Sequence, residues 1–376
     1  MARIAMVIQS YLPHVGGAER QLQQLAPRLK DLGFELHILT RHEQGLKQFE
    51  VIDGVPVHRL PASGPKAWAA ATFTLASLWG LIRIQPDVIH AHEVLTPASI
   101  ALYAKAILRR PILVKILRGG ARGDIYKIKR RRFWKSDMRR LIQSVDAFIV
   151  ISNEIDQELA ALNIPTQKRV FLPNGVDAVR CSPVSEEKKI QLRAGLSLPS
   201  QAAIVMYAGR LVPEKRADHL LKIWKDVRTK FPLAHLLIVG AGEEQSRLEA
   251  MKIDGVQFTG QVEDAIPYLQ ATDIFVLPTS TEGLSNSMLE AMSCGLPILA
   301  TTVGGAPDII EHQLSGWLIP PEDMGALQRG LETLLGDKAL RFSLGTNARQ
   351  RIISGFSLDS VARRLAGLYQ QLMAKY

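Results

Sequence analysis

The chain has 376 residues, 47% hydrophobic and 22% charged, with a formal net charge of +10. That is too long for one ordinary domain and apolar enough for two buried cores. Two widely separated cysteines, Cys181 and Cys294, exclude a disulfide framework and a cysteine-based metal site, and suit free thiols in a reducing compartment.

The opening MARIAMVIQSYLPH turns polar too soon for a signal peptide, so a cytoplasmic setting is expected. Within it, Ile4–Ile8 is a short apolar run that reads as a buried strand. Gly16 and Gly17 follow in a loop, then a helix with Leu22, Leu25 and Leu29 on one face. Further strands are expected at 35–40, 55–60, 87–91, 112–116 and 147–151, most of them separated by helices. That alternation is the pattern of a parallel sheet covered on both faces. The uncharged segment from Ala67 to Ile82 is shorter than the roughly 20 apolar residues of a membrane span. With Thr and Ser inside it, it reads as a buried core helix, ahead of an interfacial contact with a bilayer. Between Arg118 and Arg140, ten basic residues, Arg122 among them, are opposed by only Asp124 and Asp137, and Phe133 and Trp134 lie among them. Basic residues interleaved with aromatics suit an anionic membrane surface. A solvated basic face guarding a cleft is the plainer alternative. No nucleic-acid motif accompanies the charge, so no nucleic-acid partner is expected.

The run 172–177, continued by the polar stretch 182–199, reads as a linker. Strands then resume at 204–208, 234–239, 256–258, 274–277, 297–299 and 316–319, and an amphipathic helix fills 358–376. The fold class is therefore α/β, with two Rossmann-like doubly wound parallel-sheet domains, 1–172 and 173–357, facing a central cleft. Ligands of such sheets bind outside the carboxyl ends of the strands, and the chemically suggestive residues cluster just there.

Gly16 and Gly17 after the first strand allow close approach of a phosphate to a helix start, although paired glycines also serve ordinary turns. In Ala208–Arg216, AGRLVPEKR, Arg210 and Lys215 flank a strand-to-helix loop and would clamp a diphosphate. VGAGE at 239–243 begins like a dinucleotide fingerprint, but Gln245 stands where the third glycine belongs. NAD is rejected, and Gly242 is left as part of a turn lining a nucleotide pocket. His90 and His92 alternate on one strand, without a third ligand nearby for zinc; His92, at the strand end, would face the cleft and hydrogen-bond a sugar hydroxyl or stabilise charge. TEGLSNSMLEAM carries Glu282 and Glu290 with seven residues between them. Glu290 would reach a ribose hydroxyl and Glu282 a sugar hydroxyl, with the amides of Gly283, Leu284 and Ser285 opening the helix toward phosphate or sugar.

The ordered set — paired glycines, HAHE, NGVD, GRLVPEK, VGAGE and TEGLSNSMLEAM followed by CGLPILATTVGGAPDII — resembles glycosyltransferase family 4, retaining enzymes of the GT-B fold, over nearly the whole chain. The resemblance implies transfer of a hexose-type sugar from a UDP- or GDP-linked donor to the hydroxyl of a glycan or lipid-linked acceptor, with no cofactor and no metal. It makes Arg210 and Lys215 the diphosphate clamp and Gly16 and Gly17 the loop near the donor phosphate. Glu290 becomes the ribose ligand, Glu282 with the turn amides the donor-sugar contact, and His92 the histidine near the reacting sugar. The helix 358–376 would cross back onto the first domain, and the basic stretch would place the enzyme peripherally on the inner membrane face. A sugar-nucleotide epimerase on the same fold and a non-catalytic nucleotide- or glycan-binding protein are the alternatives.

Overall fold

The computed structural model describes residues 1–14, 16–120, 123–132 and 134–376; Arg122 and Phe133 of the basic stretch lie outside them. The chain divides into two compact units, one formed by Met1–Gly175 with Leu358–Tyr376, the other by Val176–Ser357.

In the first unit the elements run β1 (Ala2–Val7), α1 (Gly17–Asp31), β2 (Phe34–Arg41), β3 (Phe49–Ile52), β4 (Val55–Leu60), α2 (Lys66–Ile84), β5 (Val88–His92), α3 (Thr96–Leu108), β6 (Ile112–Lys115), α4 (Asp124–Lys129), α5 (Trp134–Ser144), β7 (Ala147–Val150), α6 (Asn153–Ala160) and β8 (Arg169–Phe171). The sheet order is β3-β4-β2-β1-β5-β6-β7-β8, and every pairing is parallel except that of the edge strand β3 with β4. β3 and β8 are absent from the sequence reading. Both are short edge strands of four and three residues in which no residue is fully buried, and β3 alternates exposed and half-buried residues.

The second unit runs α7 (Glu186–Gly195), β9 (Ile204–Ala208), α8 (Ala217–Lys230), β10 (His235–Val239), α9 (Gln245–Glu249), β11 (Val256–Gly260), α10 (Ile266–Ala271), β12 (Ile274–Leu277), α11 (Asn286–Ser293), β13 (Ile298–Thr301), α12 (Ala306–Ile309), β14 (Trp317–Ile319), α13 (Met324–Gly336) and α14 (Lys338–Gly355). Its six strands lie in the order β11-β10-β9-β12-β13-β14, all parallel. The order reverses between β9 and β12, which makes their carboxyl ends the switch point where ligands of such sheets sit. Cys181 and Cys294 are buried free thiols.

Two expectations need correction. The polar run 182–199 is not a linker: it holds α7, capped by Ser185, whose hydroxyl accepts from the Lys188 amide at 3.3 Å. Arg193 of α7 is buried and donates to the carbonyls of Ala271, Ser200 and Ala202 at 2.9, 2.9 and 3.1 Å and to Asp273 at 2.6 Å. Lys189 reaches the other oxygen of Asp273 at 2.6 Å. Charged residues carry this helix's packing, so its composition resembles a loop. Nor is the 67–82 segment a core helix. Only one face of α2, with Phe73, Ser77, Leu81 and Ile84, is buried, while Trp68, Leu75, Trp79 and Ile82 are exposed.

The last helix, α15 (Leu358–Met373), belongs to the first unit and packs on α1 and β5. Its Val361, Leu365, Tyr369 and Leu372 are buried, the spacing of a helical face. The Tyr369 ring meets Phe34 edge-on at 5.6 Å, and its hydroxyl lies 2.7 Å from Nδ1 of His90.

Candidate active-site residues in each unit

In the second unit, the loops after β9 and β12 meet. Val212–Lys215 makes a single tight turn, and the amide and hydroxyl of Ser280 both donate to the Glu214 carbonyl, at 2.9 and 3.1 Å. This holds Lys215 against Glu282: the two form an ion pair, with side chains only 12% and 15% exposed. Glu282 also accepts from the Gly283 amide at 3.2 Å. The expected phosphate ligand and the expected sugar ligand thus face each other directly. Arg210 lies at the end of β9, with its carbonyl accepting from the Tyr207 hydroxyl at 3.0 Å. Its side chain is exposed and forms no ion pair among the described residues. Burial, and then the charge of Glu282, push the Tyr207 phenol up from its ordinary value.

The turn 283–285 is seated by residues the sequence reading gave no role. The Gly305 amide donates to the Gly283 carbonyl at 2.6 Å, and Gly304 has a φ of +55. A Cβ on Gly304 would strike the carbonyl oxygens of Glu282 and Gly283, both at 2.5 Å. The paired glycines of VGGAP thus let one loop press on the other, and the only signal in the sequence was the pair itself. Ser285 caps α11, accepting from the Met288 amide at 3.3 Å, and meets the Ser287 hydroxyl at 3.0 Å. Its hydroxyl therefore has a structural task. Leu284 is buried beside Gly305. Glu290 lies in the second turn of α11 and is buried at 5% exposure. Burial, and then the Glu290 charge, push the Cys294 thiol up to about 12, which keeps it protonated and inert. Gly242 has a packing reason of its own: a Cβ there would lie 2.6 Å from the Leu211 backbone carbon. The loop after β10 rests on the loop after β9, and the Leu211 amide donates to the Ala241 carbonyl at 2.9 Å.

In the first unit, Gly16 caps α1 with extended backbone, and the Glu19 carboxylate folds back against it. Glu19 is itself buried and accepts from Ser10 at 3.3 Å. The positive end of α1 therefore already faces a carboxylate, and an incoming phosphate at Gly16 and Gly17 has to contend with it.

His90 and His92 do point to the same side of β5, and their rings stack with centroids 4.2 Å apart. His92, expected at the strand end facing the cleft, is 3% exposed. Burial, followed by the positive charge of Lys115, holds its imidazole down at about 3. A ring neutral at pH 7 hydrogen-bonds and carries no positive charge of its own. The Nε2 atoms of His90 and His92 are buried without hydrogen-bond partners among the described residues. Lys115, next to His92 on β6, is pushed down to about 8 by burial and donates to Asn174 at 3.0 Å. Among the described residues no group of three or more His, Cys, Asp or Glu side chains is placed to hold a metal ion.

Glu93, quoted in HAHE without a role, stands out. Its φ is +94, a region that non-glycine residues avoid. Burial, and then the charge of Asp124, raise its carboxyl to about 7, with Glu19 adding and Lys127 and Arg41 opposing.

Comparison with known proteins places these features in a family. Residues 15–180 match the model of Glycosyltransferase Family 4, and residues 202–337 match that of Glycosyl transferases group 1. An uncharacterized glycosyltransferase of Methanocaldococcus jannaschii is 27% identical over 99% of this chain and 98% of its own. A GDP-mannose-dependent monoacylated alpha-(1-6)-phosphatidylinositol monomannoside mannosyltransferase of Corynebacterium glutamicum is 35% identical over 53% of this chain and 55% of its own. The crystal structure of Anabaena HepE in complex with UDP-glucose superposes with a TM-score of 0.81 at 19% identity, over 99% of this chain and 100% of that one. Two parallel-sheet units of this topology, one matched by each family model, make the chain a glycosyltransferase of family 4, the glycosyl transferases group 1, with the GT-B fold.

Proposed function

We propose that this chain transfers a hexose from a UDP- or GDP-linked donor to the hydroxyl of a glycan or lipid-linked acceptor, with retention of anomeric configuration. The observation that carries the reading is the meeting of Lys215 with Glu282 at the switch-point loops, with the exposed Arg210 on the same loop as Lys215. A diphosphate draws Lys215 and Arg210 onto its oxygens, and Glu282, released from Lys215, accepts hydroxyl hydrogen bonds from the sugar. The transition state resembles an oxocarbenium ion leaving a diphosphate, so preorganised positive charge on the leaving group is the main catalytic need. These two cations supply it, and the reading requires no divalent ion and no cofactor. The acceptor proton passes to a donor phosphate oxygen on the same face. Glu290 holds the ribose, and the turn 283–285 the sugar. On the acceptor side, His92 serves as a neutral hydrogen-bonding ring with a free Nε2, and Gly16 and Gly17 approach the donor phosphate.

The GDP-mannose and phosphatidylinositol named for the Corynebacterium relative support a mannosyl donor and a glycolipid acceptor. The UDP-glucose held by the Anabaena protein supports a uridine donor. The basic stretch 118–140 is read as the contact with an anionic membrane surface that a lipid-linked acceptor requires, which makes the enzyme peripheral on the cytoplasmic face.

A thermal-shift panel with UDP, GDP and ADP on the wild type and Arg210→Ala tests the donor site. Saturation at about 100 times Kd stabilises by roughly 2.7 kcal/mol, or about 2–4 °C per kcal/mol at this size. One base should shift the wild type and not the variant. Arg210→Ala should keep the ligand-free Tm, because the side chain is exposed, and should lose about 10²–10³ in turnover. Near-normal turnover sinks the clamp. The anomer formed, read by NMR, tests retention.

A further inference from the structure

The two faces of α2 are unlike. Phe73, Ser77, Leu81 and Ile84 fasten it to the sheet, while Trp68, Leu75, Trp79 and Ile82 point outward, with Trp68 at 69%, Leu75 at 68% and Trp79 at 58% exposure. The neighbouring α3 adds Tyr103 and Ile107, one turn apart and both more than half exposed. Isolated exposed apolar residues are ordinary, but a set grouped on adjacent helices marks an interaction surface. By length and composition α2 passes as a membrane-crossing helix. Anchored by its inner face, it lies along the sheet instead and offers only its outer face.

Charge and shape decide what covers it. α3 also packs on α5, and the α4–α5 segment exposes Lys127, Lys129, Arg130, Arg131, Arg139 and Arg140. Between these helices is a cavity of about 270 Å³, apolar at Val94, Leu102, Ile128 and Leu141, with Arg131 and Arg140 also lining it. Arg131 is paired with Asp137 at 3.1 Å. An aromatic face, a basic face beside it and an apolar hollow with arginines match the layers of a bilayer leaflet: acyl boundary, phosphate and headgroup.

We propose that the α2–α3–α5 face of the first unit docks on an anionic lipid bilayer. Trp68, Leu75, Trp79 and Ile82 enter the headgroup–acyl boundary, and the α4–α5 cations meet the lipid phosphates. This rests on the reading of a lipid-linked acceptor and adds to it the apolar half of the contact. Two signals, neither sufficient alone, give reversible peripheral binding.

The test uses the full chain and co-sedimentation with phosphatidylcholine vesicles, with and without phosphatidylglycerol. Nucleotide thermal shifts are read in parallel. The wild type should bind the anionic vesicles at least about tenfold better than the neutral ones. Trp68→Ser with Trp79→Ser, and separately Lys129→Glu with Arg139→Glu, should each lower that binding about tenfold while the nucleotide shift is kept. The charge pair is the independent arm should the tryptophan variant fold poorly. No binding by the wild type, or binding that neither pair alters, overturns the proposal. So does a wild-type dimer that the tryptophan pair dissociates, since it gives the face to a second copy. A missing nucleotide shift in the wild type counts against the sugar-transfer reading and leaves the docking result standing.

Discussion

The pairing of Lys215 with Glu282 changes what a single substitution at either position reports. Both side chains are largely buried, so removing one strands the other, and part of any loss is destabilisation. Lys215→Met and Glu282→Gln should each lower stability, and the double variant should lose less than the sum, with a coupling of about 0.5–3 kcal/mol. Additive losses in denaturant unfolding would show that the two do not share an interaction. Glu93 makes a separate prediction. Its carboxyl is raised to about 7, so the folded state favours the protonated form. The stability this contributes is complete below the unfolded value, near 4.5, and is lost as pH climbs through about 7. Glu93→Gln should therefore gain on the wild type between pH 5 and pH 8, by on the order of 3 kcal/mol. A constant difference in Tm across that window rules out the burial of Glu93 as its cause.

Among elements, α7 is the case where charge does the work usually left to apolar side chains. Arg193 satisfies three carbonyls and Asp273 from a buried position. Arg193→Ala takes that donor from three carbonyls, while Asp273 keeps Lys189 at 2.6 Å and the Ile204 amide at 2.7 Å. The expected cost is about 1–3 kcal/mol for each carbonyl left unpaired, or a fall in Tm of about 2–4 °C per kcal/mol. A fall of a degree or less means that water replaces the guanidinium and that α7 is peripheral to the fold. α11 shows the opposite economy. Its hydroxyl cap and the glycines 304 and 305 that seat its leading turn serve to fix a few backbone amides in place, as a preorganised site requires.

The chain leaves the first unit at Gly175 and returns to it at Leu358. A chain ending at residue 357 should uncover the surfaces of α1 and β5 that Val361, Leu365, Tyr369 and Leu372 bury, and should remove the hydroxyl partner of His90. The first unit should then lose its cooperative unfolding transition, and the second should keep its own. Calorimetry that still shows both transitions would falsify the assignment of α15 to the core of the first unit.

The strands that carry the two sheets were readable because buried parallel strands are short apolar runs bounded by turn residues. Arg210, Lys215 and Glu282 stood out as candidates because they follow such runs closely, at the ends where ligands of parallel sheets bind, and Glu290 through its spacing from Glu282. These are local properties, written within a few residues of each other. What the residues meet is not local. The sequence separation of 67 between Lys215 and Glu282 hid their ion pair. The burial that makes His92 neutral comes from its neighbours in space, and the second face of α2 is exposed because nothing among the described residues packs on it. The packing roles of Gly242 and Gly304 depend on which loop lies opposite. Pattern along the chain sets which elements form and which residues stand at their ends. Pairing, desolvation and exposure are set by neighbours distant in sequence, so only the folded chain decides them.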